Sequence, residues 1–159
     1  FIYRSRLCST GTRWRDEDWD FTWKVNVKGL HEVTEAVLPH MIENKSGKII
    51  NISSVAAKAA KYQTAYYATT KMAVISYTQA LAREFGVSNI NVNAIAPGAF
   101  SSEMLDGMIE RIGDFSQAFP RKRICTPEQM DSTLLFLVSP SSECVTGTCI
   151  KIDDGQGPR

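Results

Sequence analysis

The segment NISSVAAKAAKYQTAYYATTK, residues 51–71, decides the fold of this chain because it joins a strand to a long helix. A largely apolar run, Lys48 to Ile52, leads into it, and a stretch free of glycine and proline extends from Thr64 to Phe85. Short apolar runs bounded by turns are typical of buried strands, and long uninterrupted segments are typical of helices. The segment therefore predicts a strand, a loop over Val55–Gln63 and a helix.

Three side chains of this segment predict chemistry on a carbonyl group. Tyr67 and Lys71 are four positions apart, so they lie on one face of the predicted helix. A phenol has a pKa of about 10, which a neighbouring ammonium lowers, and a tyrosine tuned in this way exchanges a proton with a substrate oxygen. Ser54, at the end of the strand, is placed to hydrogen-bond the same oxygen. The pattern indicates carbonyl–alcohol interconversion with a cofactor carrying the hydride, although an isolated Tyr-x-x-x-Lys also occurs on ordinary helix surfaces.

Composition bounds the class of protein. The chain has 159 residues, a formal charge of +1 and 43% hydrophobic residues, which predicts one globular domain without a nucleic-acid or membrane partner. No apolar run approaches the roughly 20 residues of a membrane-spanning helix, and the N-terminus lacks a signal-peptide pattern. The four cysteines have neither Cys-x-x-Cys nor zinc-site spacing. We expect a cytoplasmic protein with reduced thiols and no metal site.

The remaining sequence alternates helix and strand. A helix is expected from about Asp16 to before Gly47, kinked or interrupted at Pro39. The later elements are predicted as a strand at Ile90–Ile95, a helix-rich excursion at Ser101–Pro120, a helix from Thr126 to about Val138, and a strand at Thr148–Ile152. Such alternation is typical of a parallel α/β sheet.

Several motifs together resemble those of the short-chain dehydrogenase/reductase family, in particular its 3-oxoacyl-carrier-protein-reductase-like members. They are Ser54, Tyr67-x-x-x-Lys71, Asn26-x-x-Gly29 and the Pro97-Gly98 turn, and the resemblance runs from about Asp16 to Gly155. It implies a doubly wound, Rossmann-type parallel sheet and NAD or NADP as cofactor, without choosing between the two.

The resemblance also implies a role for each matched residue. Asn26 would bind a water that links Lys71 to solvent, completing a Ser-Tyr-Lys-Asn tetrad. The cofactor-binding residues would be Tyr67, Lys71, Pro97, Gly98 and Ser102. Among these, Lys71 would hold the nicotinamide ribose, the Pro97-Gly98 turn would border the nicotinamide, and Ser102 stands where the family often has threonine.

The resemblance makes the Ser101–Pro120 excursion the substrate lid and predicts a homodimer or homotetramer paired through the Thr64–Phe85 helix. After the lid, Arg121-Lys122-Arg123 reads as a solvated turn, with a substrate-phosphate site as the weaker alternative. The family's usual Asp-Gly-Gly end is here Asp153-Asp154-Gly155, which is expected to alter the turn.

The glycine-rich dinucleotide fingerprint does not occur in this sequence. We therefore expect an atypical segment at residues 1–15 and, over residues 16–159, the C-terminal half of a doubly wound domain, as in a fragment of a longer protein. The Lys48–Ile52 strand would then have an unpaired edge, unless residues 1–15 cover it. Two functions remain at this point: an NAD(P)-dependent oxidoreductase acting on a small carbonyl or alcohol, and a catalytically silent oligomerisation or interaction module.

Overall fold

A three-stranded parallel sheet forms the centre of the molecule. The computed structural model describes residues 16–60 and 64–157, without the side chain of Arg111. The strands are β1 (Gly47–Ile52), β2 (Ile90–Pro97) and β3 (Cys149–Ile152), in the order β1-β2-β3. In register, Asn51 pairs with Ala94 and Ala94 with Cys149. This arrangement confirms the predicted parallel α/β sheet and leaves β1 with one unpaired edge among the described residues.

Five α-helices flank the strands in the described part of the chain. They are α1 (Asp16–Trp23), α2 (Gly29–Glu43), α3 (Ala65–Phe85), α4 (Glu103–Ile112) and α5 (Asp131–Val138). A π-helical segment, Lys24–Lys28, joins α1 to α2. Pro39 lies inside α2, which continues to Glu43, so the helix is not interrupted there. A proline removes a single backbone donor, and the neighbouring Leu38 is buried in the core, which keeps this turn in place.

The strand β2 lies at the centre of the core. Every residue from Ile90 to Ala96 is buried, as expected for a parallel strand covered on both faces. Its two buried asparagines donate to the loop before β3: Asn91 Nδ2 to the Glu143 carbonyl oxygen at 2.7 Å and Asn93 Nδ2 to the Val145 carbonyl oxygen at 2.8 Å. The edge strand β1 is less covered than its apolar sequence suggested, and the Ile52 side chain is half exposed.

The later elements differ from prediction mainly at their boundaries. The predicted helix from Thr126 begins as a 3₁₀ turn, Pro127–Met130, before α5, and β3 starts at Cys149 instead of Thr148. The Ser101–Pro120 excursion contains α4, as expected. Its two ends are joined by backbone hydrogen bonds, from Ser101 N to the Cys125 oxygen at 2.8 Å and from Cys125 N to the Ala99 oxygen at 3.1 Å.

The predictions for residues 1–15, including coverage of the β1 edge and the state of Cys8, lie outside the described residues, as do the last positions of the predicted loop. Three cysteines that the structure describes, Cys125, Cys144 and Cys149, are free. Within the described ranges, no helix is both long and apolar enough to cross a membrane.

Candidate active site

The end of β1 holds α3 through two neighbouring residues. Lys71 Nζ donates a hydrogen bond to the Ile52 carbonyl oxygen at 2.9 Å. One residue further, Ser53 Oγ donates to the Lys71 carbonyl oxygen at 2.7 Å. Both ends of Lys71, side chain and backbone, are therefore fixed to the carboxyl end of the strand, which is the edge where parallel α/β folds bind ligands.

The next residue, Ser54, connects the strand end to the tyrosine. It caps the 3₁₀ turn Val55–Ala57, where its Oγ accepts from Ala56 N at 3.2 Å. The Ser54 side chain also lies beside the Tyr67 phenol and opposes the rise that burial causes in the pKa of that phenol. The alanines of the predicted loop thus begin as a short helical turn, and that turn orients Ser54 toward α3.

Asn26 reaches the same helix from the π-helical segment. Its Nδ2 donates to Thr70 Oγ1 at 3.0 Å, and Thr70 Oγ1 donates to the Tyr67 carbonyl oxygen at 2.8 Å. Such π-helical turns occur frequently at functional sites because they redirect side chains. The structure therefore brings together all four predicted tetrad residues, with Thr70 between Asn26 and the backbone of Tyr67.

Burial sets the pKa of both ionisable groups of the site. Removal from water raises the pKa of Tyr67, and the neighbouring Ser54 side chain opposes that shift. Burial lowers the pKa of Lys71 to about 8. The direction for Tyr67 is opposite to the lowering expected from its neighbour. Burial outweighs the amine, because Lys71 Nζ lies 5.8 Å from the centroid of the tyrosine ring and bonds the Ile52 carbonyl.

The Pro97-Gly98 turn lies at the carboxyl end of β2, next to the end of β1. Gly98 N donates to the Ile152 oxygen at 2.8 Å, and a Cβ on Gly98 would lie 2.6 Å from Gln156 Oε1 and 2.9 Å from Asp153 Cα. Only glycine fits against the turn that follows β3.

Ser102, the last of the predicted cofactor-binding residues, caps α4: its Oγ accepts from Leu105 N at 3.3 Å.

Sequence reasoning missed Ser53 and Thr70. Each adjoins a predicted site residue, but its partner lies 18 or 44 positions away along the chain. Ordinary hydroxyl residues beside a motif give no signal of such contacts. A weak hint for Thr70 was its position three residues after Tyr67, since a helical threonine bonds the carbonyl one turn back.

The donors at this edge fit one end of a nicotinamide cofactor. A phenol, an amine and a serine hydroxyl converge at the end of β1, and such groups suit sugar hydroxyls and a substrate carbonyl. Tyr67 and Lys71 would hold the ribose, while the Pro97-Gly98 backbone would border the ring. When bound, the cofactor supplies a hydride. The described residues contain no glycine-rich loop for the phosphates.

Comparison with known proteins gives a consistent set of relatives. A sequence profile described as "Enoyl-(Acyl carrier protein) reductase" matches residues 6–156. The chain is 38% identical over 144 residues to a 3-oxoacyl-[acyl-carrier-protein] reductase of Thermotoga maritima, covering 90% of this chain and 58% of that protein. It is 36% identical to an acetoacetyl-CoA reductase of Acinetobacter, covering 87% of this chain and 56% of the relative.

Solved structures agree with these sequence relatives. A gluconate 5-dehydrogenase from Burkholderia cenocepacia, in complex with NADP and tartrate, superposes with a TM-score of 0.86 at 32% identity, over 90% of this chain and 57% of that one. A 3-oxoacyl-[acyl-carrier protein] reductase from Brucella melitensis gives a TM-score of 0.84 at 32% identity, over 92% and 55% of the two chains. The chain belongs to the short-chain dehydrogenase/reductase family of oxidoreductases. It spans between half and two-thirds of the length of these relatives.

Proposed function

We propose that this protein is an NAD(P)-dependent oxidoreductase that interconverts a carbonyl group and a secondary alcohol. The observation that carries the proposal is the Lys71 amine, fixed to the end of β1 and 5.8 Å from the centroid of the Tyr67 ring, with the Ser54 side chain beside the phenol. Relatives with this fold are solved with NADP and with NADH bound, and several are named as reductases or dehydrogenases.

Each residue of the site has a distinct task in this proposal. In the reducing direction, Tyr67 donates its proton to the oxygen of the substrate carbonyl. The phenol is protonated at neutral pH, as a general acid must be before it donates. The Ser54 hydroxyl hydrogen-bonds the same oxygen and orients it. With a pKa of about 8, Lys71 is mostly an ammonium at pH 7, and it stabilises the phenolate that remains.

Asn26 contacts α3 through Thr70 and takes no direct part in the proton transfer. Through Thr70 it holds the first turns of α3, and we propose that it also binds the water through which Lys71 exchanges protons with solvent. A general acid in such a site contributes roughly 10²- to 10⁴-fold in rate.

The free thiols of the described cysteines accord with a cytoplasmic location, which we include in the proposal.

We also propose that the protein works as a homo-oligomer paired through α3. A groove along this helix is lined largely by small side chains, among them Ala65, Ala68, Thr69, Ala73 and Ser76. Trp23 closes one side of it. Small residues let two helices approach closely, so the groove suits the same helix of a second copy.

Titration with NADH and NADPH, followed by nicotinamide fluorescence, tests the cofactor site. Saturable binding of either form is expected. If a chain with a folded circular-dichroism spectrum binds neither, the protein is the catalytically silent interaction module instead.

Substitution of Tyr67 tests the chemistry. Tyr67→Phe should lose about 10²- to 10⁴-fold in kcat because the proton donor is removed, while cofactor binding persists through Lys71 and the Pro97-Gly98 turn. Tyr66→Phe is the matched control, since it removes the same hydroxyl from the adjacent buried ring and should keep most of the activity. Equal turnover of Tyr67→Phe and the unmodified protein would rule out the mechanism.

A further inference from the structure

Arg121 and Arg123, which follow the lid, both hydrogen-bond the carboxylate of Asp154, which follows β3. Arg123 binds Asp154 through two hydrogen bonds, Nε to Oδ2 at 2.7 Å and Nη2 to Oδ1 at 3.1 Å. Arg121 Nη1 adds a third bond to Oδ1 at 2.9 Å. The Asp154 side chain is only 10% exposed. The cluster Arg121-Lys122-Arg123 is therefore not simply a solvated turn, because two of its three charges are paired.

The position of Asp154 makes this contact unusual. Its φ is +52°, in the left-handed region that glycine adopts without cost and aspartate only tolerates. It is also the position where the sequence departs from the Asp-Gly-Gly ending. Hydrogen bonds from Arg123, and then from Arg121, hold the pKa of the carboxyl below its ordinary value. Asp154 therefore has a backbone conformation that favours glycine, and its carboxylate binds the two arginines that follow the lid.

The turn that carries Asp154 is itself firmly attached. Asp153 accepts from Gly155 N at 3.1 Å through Oδ1 and from Gly157 N at 2.8 Å through Oδ2. Gln156 Oε1 accepts from Ala99 N at 2.6 Å, immediately after the Pro97-Gly98 turn. One hydrogen-bonded turn therefore contacts both the strand end that would border the nicotinamide and the segment that follows the lid.

We infer that Asp154 is a positioning residue for the substrate lid. Through Arg121 and Arg123 it fixes the C-terminal arm of the Ser101–Pro120 lid relative to the Gly98 turn, and so sets the distance between lid and reacting centre. The inference rests on the proposed function for its kinetic consequence, but the clasp formed by Arg121, Arg123 and Asp154 is testable by itself. It predicts an effect on substrate binding and none on the proton-transfer step.

The test compares Asp154→Asn and Asp154→Gly with the unmodified protein. Asparagine keeps the shape and tolerates a positive φ, whereas glycine also removes the backbone strain, so an effect shared by both comes from the lost carboxylate. Glu143→Gln is the charge-matched control, since it removes an exposed carboxylate of the turn before β3. Hydrogen–deuterium exchange of the 101–120 segment and steady-state kinetics are the two readouts.

Both Asp154 variants should exchange faster in the 101–120 segment and at the amides of Ser101 and Cys125, with exchange in α3 unchanged. KM for the carbonyl substrate should rise about two- to fivefold with kcat retained, in line with loss of a partly exposed ion pair. Unchanged exchange in the lid, or a fall in kcat at constant KM, would overturn the inference. If the parent protein shows no turnover, the proposed function fails, while the exchange data still decide whether the clasp holds the lid.

Discussion

At the scale of single residues, burial shifts the pKa values of both Lys71 and Tyr67. The Lys71 amine is anchored on a backbone carbonyl at the end of β1 and removed from water, so its pKa is about 8 instead of its ordinary value near 10.4. The same burial raises the pKa of Tyr67. The site therefore keeps a protonated phenol beside an amine that changes charge within the working range of pH.

The Lys71 titration is directly measurable. In protein carrying ¹³Cε-labelled lysine, one resonance should titrate with a midpoint near pH 8, and Lys71→Met should lack it. The unfolded chain keeps this proton up to about pH 10.4, so between roughly pH 8 and 10.4 it binds more protons than the folded chain. Lys71 should thus make unfolding less favourable as the pH rises through that window. A midpoint near 10.4 for every lysine would contradict the assignment.

Thr70 is expected to be a structural link in the tetrad. Thr70→Val keeps the shape but removes the hydroxyl that joins Asn26 to the Tyr67 carbonyl, leaving the Asn26 amide without this acceptor. The free energy of unfolding should fall by about 1–3 kcal/mol, as measured by chemical denaturation.

Thr69→Val is the matched control for Thr70→Val. Within one chain Thr69 is exposed and its hydroxyl donates to the Ala65 oxygen one helix turn back, so the free energy of unfolding should change by no more than about 0.5 kcal/mol. Equal losses in unfolding free energy at the two positions would show that the hydrogen bonds of Thr70 do not stabilise the protein more than those of Thr69.

At the scale of elements, the turns after β2 and β3 meet so closely that one position admits only glycine. Gly98→Ala would place a Cβ against backbone and side-chain atoms of Asp153 and against Gln156. We expect a loss of about 1–3 kcal/mol in unfolding free energy, because the backbone of the turn cannot move aside easily.

Gly107→Ala serves as the comparison for Gly98→Ala. A Cβ at Gly107, inside α4, meets no atom within 4 Å, and alanine favours helix, so the free energy of unfolding should rise by roughly 0.5–1 kcal/mol. Two glycine-to-alanine changes thus have predicted effects of opposite sign. A stabilising Gly98→Ala would mean that the two turns are further apart than described.

Helix and strand order was predictable at this scale because it depends on local sequence. The helix containing Tyr67 was expected at Thr64–Phe85 and is observed at Ala65–Phe85. The π-helical segment around Asn26 and the continuation of α2 through Pro39 were not predictable. Both depend on packing: one on the contact of Asn26 with Thr70, the other on the burial of Leu38.

At the scale of the whole molecule, the groove along α3 predicts self-association. Ala73→Arg places a long charged side chain in the groove and should lower the molar mass measured by light scattering after size-exclusion chromatography. Val87→Arg adds the same charge to an exposed side chain in the turn after α3 and should leave the mass unchanged. An unchanged mass for Ala73→Arg would exclude this face as the interface.

The sequence by itself determined the parallel α/β class, the strand–turn–helix order and the common helix face of Tyr67 and Lys71, because periodicity and turn residues act over a few positions. Only the tertiary structure decided how Asn26 joins the site through Thr70, how Ser53 fixes Lys71, which way the tyrosine pKa moves, and that Asp154 binds Arg121 and Arg123. Those features depend on distances between segments far apart in the chain and on the exclusion of water from the site. No local pattern of residues encodes either quantity.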